Sequence, residues 1–254
     1  MTQITPPKSV RATEQEKTEQ TTVKQDIIGL ANVLRRTPLS LKDVLELKNA
    51  DKFYFEALRI KDERTDNIDL SDILMPYSVV KDSKFTKLSA NKTSFMQSVF
   101  NHLEIECLEA EKSNFGGASI SRVKIRSGFI DESNFSGSKI IRSTFNKSYE
   151  LLSAKKTDFT DAKIFESNIR AVDLSESKIK NAMIRDSDME GSIFRGADLT
   201  DTLFENVNFC RCDFSGADIT GTKFINVKFD GAILKDMIVI IGGKKLVCNG
   251  QEFI

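Results

Sequence analysis

The chain has 254 residues, and its 37 basic and 37 acidic side chains give a formal net charge of zero at pH 7. This balance gives no general drive toward nucleic acid or an anionic membrane surface. No apolar run reaches the length of a membrane span, residues 1–20 lack the apolar stretch of a secretory signal peptide, and four cysteines are too few for a disulfide framework. A reducing compartment is therefore the simplest expectation.

The N-terminal region differs in composition from the rest of the chain. Residues 1–24 are rich in Thr, Gln, Glu, Lys and Pro and have few large apolar side chains, so they are predicted to form a disordered polar tail. Residues 25–66 are predicted to be mainly helical. An amphipathic pattern over Gln25–Arg36 indicates a first helix, and Leu39–Asn49 continues with a second apolar face.

Two details of this region leave its role open. Thr37-Pro38 suits an N-cap followed by a first-turn proline, whereas Lys52–Ile60 fits either a helix or a strand. Residues 25–66 are interpreted as a cap on the first coil of the structure that follows, because an uncovered sheet edge is a liability. The alternative is a small domain that binds a partner.

A five-residue period dominates the C-terminal half of the chain. Every fifth residue from Phe159 to Leu234 is large and apolar, and the residue two positions earlier is small. Neither an α-helix nor a β-strand has this period, so it predicts a repeat architecture. The residues of the series are Phe159, Ile164, Ile169, Leu174, Ile179, Ile184, Met189, Phe194, Leu199, Phe204, Phe209, Phe214, Ile219, Phe224, Phe229 and Leu234.

The same period continues upstream in a shifted frame. It places large apolar residues at five-residue steps from Phe85 to Phe145, with Ala90 and Ala110 in the gaps. Leu88, Leu103 and Leu108 break the rule that the earlier position is small. The repeats are predicted over residues 67–239. Between Phe145 and Phe159 the spacing is one residue short of three repeats, which predicts a one-residue slip near 146–156.

The C-terminal residues predict a β-hairpin. Met237–Ile241 and Lys244–Cys248 are strand-like segments on either side of Gly242-Gly243. Residues 240–254 are interpreted as a hairpin cap on the last coil. A dimer contact through this hairpin is the alternative, because the first segment is more apolar than a cap requires.

The repeat pattern resembles the pentapeptide repeat family, whose consensus is A(D/N)LXX. The matching segments are Ala197-Asp198-Leu199, Ala217-Asp218-Ile219 and Cys212–Gly216. The resemblance implies a mostly β fold, a right-handed quadrilateral β-helix with four pentapeptides per coil, to which we add a small α-helical N-terminal cap. It also implies that the central residue and the small residue two before it point inward.

Twenty residues per coil would stack aromatic rings from one coil to the next, about 4.8 Å apart. The predicted structural core is Phe95, Phe115, Phe135, Phe159, Phe194, Leu199, Phe204, Phe209, Phe214, Phe224 and Phe229.

Candidate catalytic chemistry is sparse in the sequence. His102 is the single histidine, and Cys107 would lie on an adjacent face of the coil, beyond the hydrogen-bond reach that a thiol–imidazole pair needs. Cys210 and Cys212 resemble half of a metal site, but no second pair follows at ligand spacing. We therefore expect no enzyme activity, no cofactor and no metal.

Acidic residues are in excess from Thr157 to Val239, and Asp186, Asp188, Asp198 and Asp201 form a possible acidic binding face. One group within the family mimics DNA and binds type II topoisomerases, and some bacterial effectors have a disordered N-terminus before such repeats. The excess is small for a DNA mimic, because a duplex carries two charges per base-pair step.

The functional hypothesis is a non-enzymatic protein-binding scaffold that presents a β-helix face to a partner protein. The alternatives are a secreted effector acting in a host cell and a DNA-mimicking topoisomerase-binding protein that protects against quinolones. No direct nucleic-acid binding is expected. The expected location is the bacterial cytoplasm or, for an effector, a host cell reached without a cleavable signal peptide.

Overall fold

A computed structural model of the protein describes residues 41–49, 54–55, 58–145, 152–241 and 244–248. All of them belong to one compact unit, Leu39–Ile254. The predicted tail 1–24 and the predicted helix Gln25–Arg36 lie outside the described residues.

Helix α1 spans Leu41–Asn49, and the other regular elements within the described residues are strands. The strands are β1 Arg59–Lys61, β2 Arg64–Asp69, β3 Val79–Ser89, β4 Val99–Glu109, β5 Ser119–Phe129, β6 Lys139–Ile141, β7 Thr144–Phe145, β8 Leu152–Ser153, β9 Lys163–Phe165, β10 Val172–Asp173, β11 Met183–Arg185, β12 Leu203–Glu205, β13 Lys223–Ile225, β14 Ile238–Ile241 and β15 Lys244–Val247. Strand pairing already includes Arg59, so the parallel ladder begins before residue 67, where the repeats are predicted to start.

The strands form a parallel β-solenoid of about eight turns. Successive coils pair with an offset of twenty residues, as in Val79↔Val99 and Val99↔Ser119. Nine strands run side by side in the order β1-β3-β4-β5-β6-β9-β11-β12-β13. These observations confirm the predicted fold class, because a period of five with four faces returns each residue to the same face after twenty positions.

The frame shift is a four-residue insertion. The pairing offset is twenty at Ile125↔Phe145 and becomes twenty-four at Phe129↔Ser153, so the extra residues lie between Phe145 and Ser153. The one-residue slip predicted from the sequence has a different cause, because removing one residue and adding four give the same shift in a five-residue count. The faces of the solenoid continue on both sides of the insertion, as Ile140↔Ile164 shows.

The core consists of the central repeat residues stacked in columns. Phe115 and Phe135 have ring centroids 4.6 Å apart, and Phe194 and Phe214 have centroids 4.8 Å apart, both nearly parallel. Most buried hydroxyl groups at the small inward positions donate to a backbone carbonyl, as Ser192 does to Ile169 of the preceding coil at 2.7 Å and Ser187 does to Arg185 at 2.8 Å. Ser138 Oγ, by contrast, has no hydrogen-bond partner among the described residues. Satisfied donors explain how serine and threonine can line this interior.

The corners of the coils require a left-handed backbone. The residue two after each central residue has φ between 50° and 60° in Asp161, Glu166, Ala171 and Glu176, the four corners of one coil. Asn, Asp and Gly tolerate this conformation best, which explains their frequency at the corner positions.

On one side of the solenoid the large and small inward residues exchange places. Leu88 and Leu108 occupy the position that is usually small, and Ala90 and Ala110 occupy the central position, all four being buried. Leu152 and Ala154 repeat the exchange. The sequence showed the alanines and the leucines as separate irregularities, whereas in the structure they are one volume-conserving exchange.

The two ends of the solenoid are covered differently. At the N-terminal end, Leu41 and Val44 of α1 are buried, and the Leu41 amide donates to Glu63 Oε1 at 3.3 Å. At the other end β14 and β15 form an antiparallel hairpin. The central residues of the last coil remain only half-buried there, and they are Ile219, Phe224, Phe229 and Leu234.

Candidate functional site

The solenoid has four faces, each defined by a column of paired residues. Face 1 carries the ladder Leu74–Ser94–Asn114–Asn134–Asp158–Lys178–Asp198–Asp218. Face 2 carries the nine strands that run side by side from β1 to β13. Face 3 continues from β2 through Asn168, Asp188 and Asn208, and face 4 includes Phe129, Ser153, Asp173 and Asp213.

Many aspartates and asparagines of the repeats accept hydrogen bonds from nearby backbone amides. The residue just before the central position accepts a hydrogen bond from the amide two residues later, as Asp198 Oδ1 does from Thr200 at 3.0 Å and Asp188 Oδ1 does from Glu190 at 3.1 Å. This bond stabilises the turn, as an Asx turn does. It gives a structural reason for the D/N of the repeat consensus.

The four aspartates of the predicted acidic face do not lie on one face. Asp198 and Asp201 lie on face 1 and at its corner, whereas Asp188 pairs within face 3 and Asp186 is the corner residue of face 2. Asp186 Oδ1 also accepts a hydrogen bond from Asn206 at 2.8 Å. The structure therefore separates Asp186 and Asp188 from Asp198 and Asp201, because residues ten apart lie on opposite sides of a four-faced coil of twenty residues.

Asp213 shows how such an aspartate is held on face 4. Burial favours the neutral acid, but hydrogen bonds from Ser215 and the Arg195 guanidinium outweigh it and lower the pKa of Asp213. The Arg195 Nε atom lies 2.6 Å from Asp213 Oδ2. This ion pair links two adjacent coils.

Charged residues are absent from a continuous stretch of faces 1 and 2 in the N-terminal half of the solenoid. Four successive coils contain a run without any charged residue, at residues 73–80, 93–101, 113–121 and 133–138. The coil pairing stacks these runs directly on one another. We call the outward-facing surface of these four runs the uncharged panel. The corresponding coil at 157–163 already carries Asp158, Asp161 and Lys163.

Apolar side chains are concentrated at one end of the uncharged panel. Leu74 is 46% exposed, Tyr77 46%, Met96 38% and Val99 37%, and they make up half of the eight exposed large apolar residues among those described. Toward the other end the panel carries small residues, including Gly116, Gly117 and Gly137. No neighbouring atom lies within 4 Å of a Cβ built on Gly137, so the backbone there is open to a partner.

The sequence contains the signal for this panel, but a charge count over a block as long as Thr157–Val239 averages over several coils and hides it. A count at the twenty-residue period shows the four uncharged runs in register. Interface cores are depleted in charge and enriched in Tyr and Met relative to other surface. The panel therefore has the composition of a protein-binding surface.

The two edges of the panel differ in charge. The first ionisable residues after the runs are Lys81, His102, Arg122 and Lys139. Those before the runs are Asp72, Lys92, Lys112 and Glu132, and Lys112 pairs with Glu132 at 3.7 Å. One edge is therefore basic, and the other is mixed.

The candidate reactive groups are separated. His102 Nδ1 lies 3.1 Å from Asp82 Oδ1 on face 2, and Cys107 is half-buried on β4. Cys212 is buried, and burial raises the pKa of its thiol to about 12. Within the described part of the chain, no group of three or more His, Cys, Asp and Glu side chains could hold a metal ion.

An apolar cavity of about 50 Å³ lies inside the N-terminal coils. Leu41 of α1 lines it together with Ile60, Leu70 and aromatic residues from the coils below. It is smaller than the cavities of about 150 Å³ known to bind benzene. The cavity is therefore a packing feature of the core.

In the part of the chain that the structure describes, no helix is long and apolar enough to cross a membrane.

The family model for pentapeptide repeats matches residues 157–196 and 197–236, with eight copies of the repeat. The chain carries pentapeptide repeats of this family at residues 157–236. Its parallel coils, inward central residues and left-handed corners extend the same architecture upstream to β1, beyond the residues that the family model matches.

Several solved structures are similar at low sequence identity. HetL, a pentapeptide repeat protein involved in heterocyst differentiation regulation in the cyanobacterium Nostoc, is 14% identical with a TM-score of 0.33, over 79% of this chain and 97% of HetL. QnrB1, a plasmid-mediated fluoroquinolone resistance protein, is 15% identical with a TM-score of 0.36, over 70% of this chain and 90% of QnrB1. No curated protein matches the chain.

Proposed function

We propose that this pentapeptide-repeat protein is a non-enzymatic scaffold that binds a partner protein through the uncharged panel. The observation that carries this proposal is the stacking of four uncharged runs on one side of a chain in which 29% of residues are charged. Exposed Leu74, Tyr77 and Met96 supply apolar anchors of the kind that dominate binding energy at protein interfaces.

A rigid solenoid suits this role. The coils hold the panel's side chains on paired strands, so binding requires little ordering of the backbone and loses little conformational entropy. The four coils span about 14 Å between their outer members at the usual strand spacing. A typical partner buries about 800 Å² on each side, so the charged edges would join the contact as its rim.

The test uses one substitution in the panel and one matched control. Met96→Arg places a charge on the residue after a central phenylalanine of face 1, and Thr160→Arg places the same charge at the equivalent position three coils further on. Proteins from the source cells that are retained by immobilised wild type and Thr160→Arg, but lost with Met96→Arg, would support the proposal. Equal retention by all three, with unchanged thermal unfolding, would contradict it.

The acidic surface gives less support to the DNA-mimic alternative. Asp186 and Asp188 lie away from the face that holds Asp198 and Asp201. A topoisomerase interaction that weakens steeply with salt, and that is lost when the four aspartates are changed to asparagine, would reverse this preference. The effector alternative concerns export, and the same panel would serve it in a host cell.

We also propose a homodimer through the C-terminal end. Ile225, Ile233 and Ile240 are 49%, 50% and 45% exposed, and the central residues of the last coil are half-buried. A second copy would cover this apolar surface. Sedimentation of the full chain should show a dimer that Ile233→Glu dissociates, and a monomer at all concentrations would refute the proposal.

A further inference from the structure

The basic edge of the uncharged panel includes three exposed cationic side chains. Lys81, Arg122 and Lys139 are exposed and follow directly after three of the four uncharged runs. Among the described residues none of the three takes part in an ion pair, whereas nearby His102 is paired with Asp82 and Arg142 with Glu166. These three side chains therefore offer positive charge beside an uncharged surface.

The opposite edge offers no comparable preference. It carries both signs, with the acids Asp72 and Glu132 at its ends and Lys92 and Lys112 between them, and Lys112 and Glu132 neutralise each other. The electrostatic field across the panel is consequently one-sided. A partner with charge on one border would be attracted in one orientation and repelled in the reverse one.

The floor of the panel favours a protein over a lipid surface. Asn134 Nδ2 donates to Asn114 Oδ1 at 3.2 Å, and Asn114 Oδ1 also accepts from the Gly116 amide at 2.9 Å. Side-chain amides have more hydrogen-bonding groups than these bonds use. Burial of such groups in hydrocarbon without partners is costly, whereas a polypeptide can satisfy them.

We propose that the partner is a protein segment whose uncharged contact surface is bordered on one side by carboxylates, and that these carboxylates lie against Lys81, Arg122 and Lys139. The inference rests on the proposed function, because it names the chemistry of the partner for the same panel. The basic edge fixes the orientation of the partner and accelerates association, while the apolar anchors supply most of the affinity.

The test selects binders from a phage-displayed library of random short peptides, using the full-length chain as bait. Three baits are compared: wild type, Met96→Arg, and the double variant Arg122→Glu with Lys139→Glu. A fourth bait, Lys178→Glu with Lys180→Glu, makes the same change in net charge on face 1 away from the panel. Thermal unfolding of each bait establishes that it is folded.

We expect peptides that bind wild type and the Lys178/Lys180 variant, but not Met96→Arg, to combine apolar residues with Asp or Glu on one flank. The Arg122/Lys139 variant should bind such a peptide with an affinity at least about 10-fold lower than wild type does. Replacing the peptide's acidic flank with lysine should restore binding to that variant. The affinity for wild type should fall as salt rises.

The remaining outcomes separate the two proposals. Panel-dependent peptides without an acidic flank would overturn the inference about the partner and leave the proposed function standing. Absence of any peptide sensitive to Met96→Arg would contradict both. Sedimentation of wild type with phosphatidylserine vesicles, lost on Met96→Arg, would overturn the inference in favour of a lipid surface.

Discussion

Gly128 is the residue at which the backbone leaves least room for a side chain. Its φ is +137°, and a Cβ built there would lie 1.9 Å from the Leu108 carbonyl oxygen. The carbonyl belongs to the neighbouring coil and cannot rotate away without breaking the ladder. Glycine is therefore required at this position.

Gly128→Ala should destabilise the protein by about 3 kcal/mol or more, because both the dihedral angle and the carbonyl contact oppose it. The matched control is Gly137→Ala, whose φ is +65° with no atom within 4 Å of the new Cβ. That change should cost only about 1–2 kcal/mol. Urea unfolding of both variants measures the difference, and similar losses would contradict the role assigned to the Leu108 carbonyl.

Cys212 gives the core a pH dependence at high pH. Burial raises the pKa of its thiol to about 12, so the folded state holds the proton that the unfolded state releases near pH 8.5. Since the native state then binds more protons, stability falls as pH rises from about 8.5 toward 12. The loss is at most about 1.4 kcal/mol per pH unit.

Cys212→Ala should remove this part of the pH dependence, while Cys210→Ala, on a half-buried neighbour, should retain it. Urea unfolding at a series of pH values between 8 and 11 measures the slope. Parallel slopes for wild type and Cys212→Ala would show that the thiol does not titrate as stated.

At the scale of the coil, the exchange of large and small residues on face 4 makes the two positions interdependent. Leu108→Ala should cost about 2–5 kcal/mol because it opens a cavity. Ala110→Leu should cost about 1–3 kcal/mol because it overfills the core. The double variant should lose less than the sum, since it restores the total volume in the order that Gly128 and Ile130 use in the next coil.

A double-mutant cycle from denaturant unfolding measures this coupling. If the losses in free energy of unfolding were strictly additive, each position would be packed independently, which would contradict the volume exchange inferred from the structure.

The residues that repeat strictly were predictable, and those that depend on pairing between coils were not. The five-residue period placed the central residues of the solenoid because burial selects large apolar side chains at those positions. It could not distinguish a four-residue insertion from a one-residue deletion, since only the register of Phe129 with Ser153 separates them. Likewise the aspartates 186, 188, 198 and 201 all occupy outward positions of the repeat but turn onto different faces.

The candidate site could not be predicted from the five-residue period. The uncharged panel follows from the twenty-residue repeat of the coil, whereas the sequence was evaluated for charge in long blocks. Lys92 and Lys112 mark where the uncharged runs begin in two successive coils, and His102 and Arg122 mark where they end. A charge count at the twenty-residue period of the coil locates the panel from the sequence alone.

The position of a coil along the whole molecule should set the cost of removing its aromatic residue. Phe209 is fully buried and lies within 6.2 Å of five phenylalanine rings. Phe229 stacks on it at 5.5 Å but is half-buried in the last coil. Phe209→Ala should cost about 3–5 kcal/mol as a cavity in a closed core.

Phe229→Ala should cost clearly less, because a half-exposed ring loses less transfer free energy and water can fill the gap. Denaturant unfolding of Phe209→Ala and Phe229→Ala compares the loss in free energy of unfolding at two positions in one column of the solenoid. A larger loss for Phe229→Ala would mean that the last coil is enclosed more fully than the structure shows.

The uncharged panel also bears on the behaviour of concentrated solutions. The chain has an isoelectric point near 6.6, so at near-neutral pH no net repulsion keeps two molecules apart, and the panel carries no charge of its own to oppose a collision. Colloidal stability should therefore be lowest around pH 6.6 and improve on either side of it. The charge that Met96→Arg adds should raise solubility at that pH. The uncharged panel, which we propose binds a partner protein, therefore also limits the solubility of the free protein.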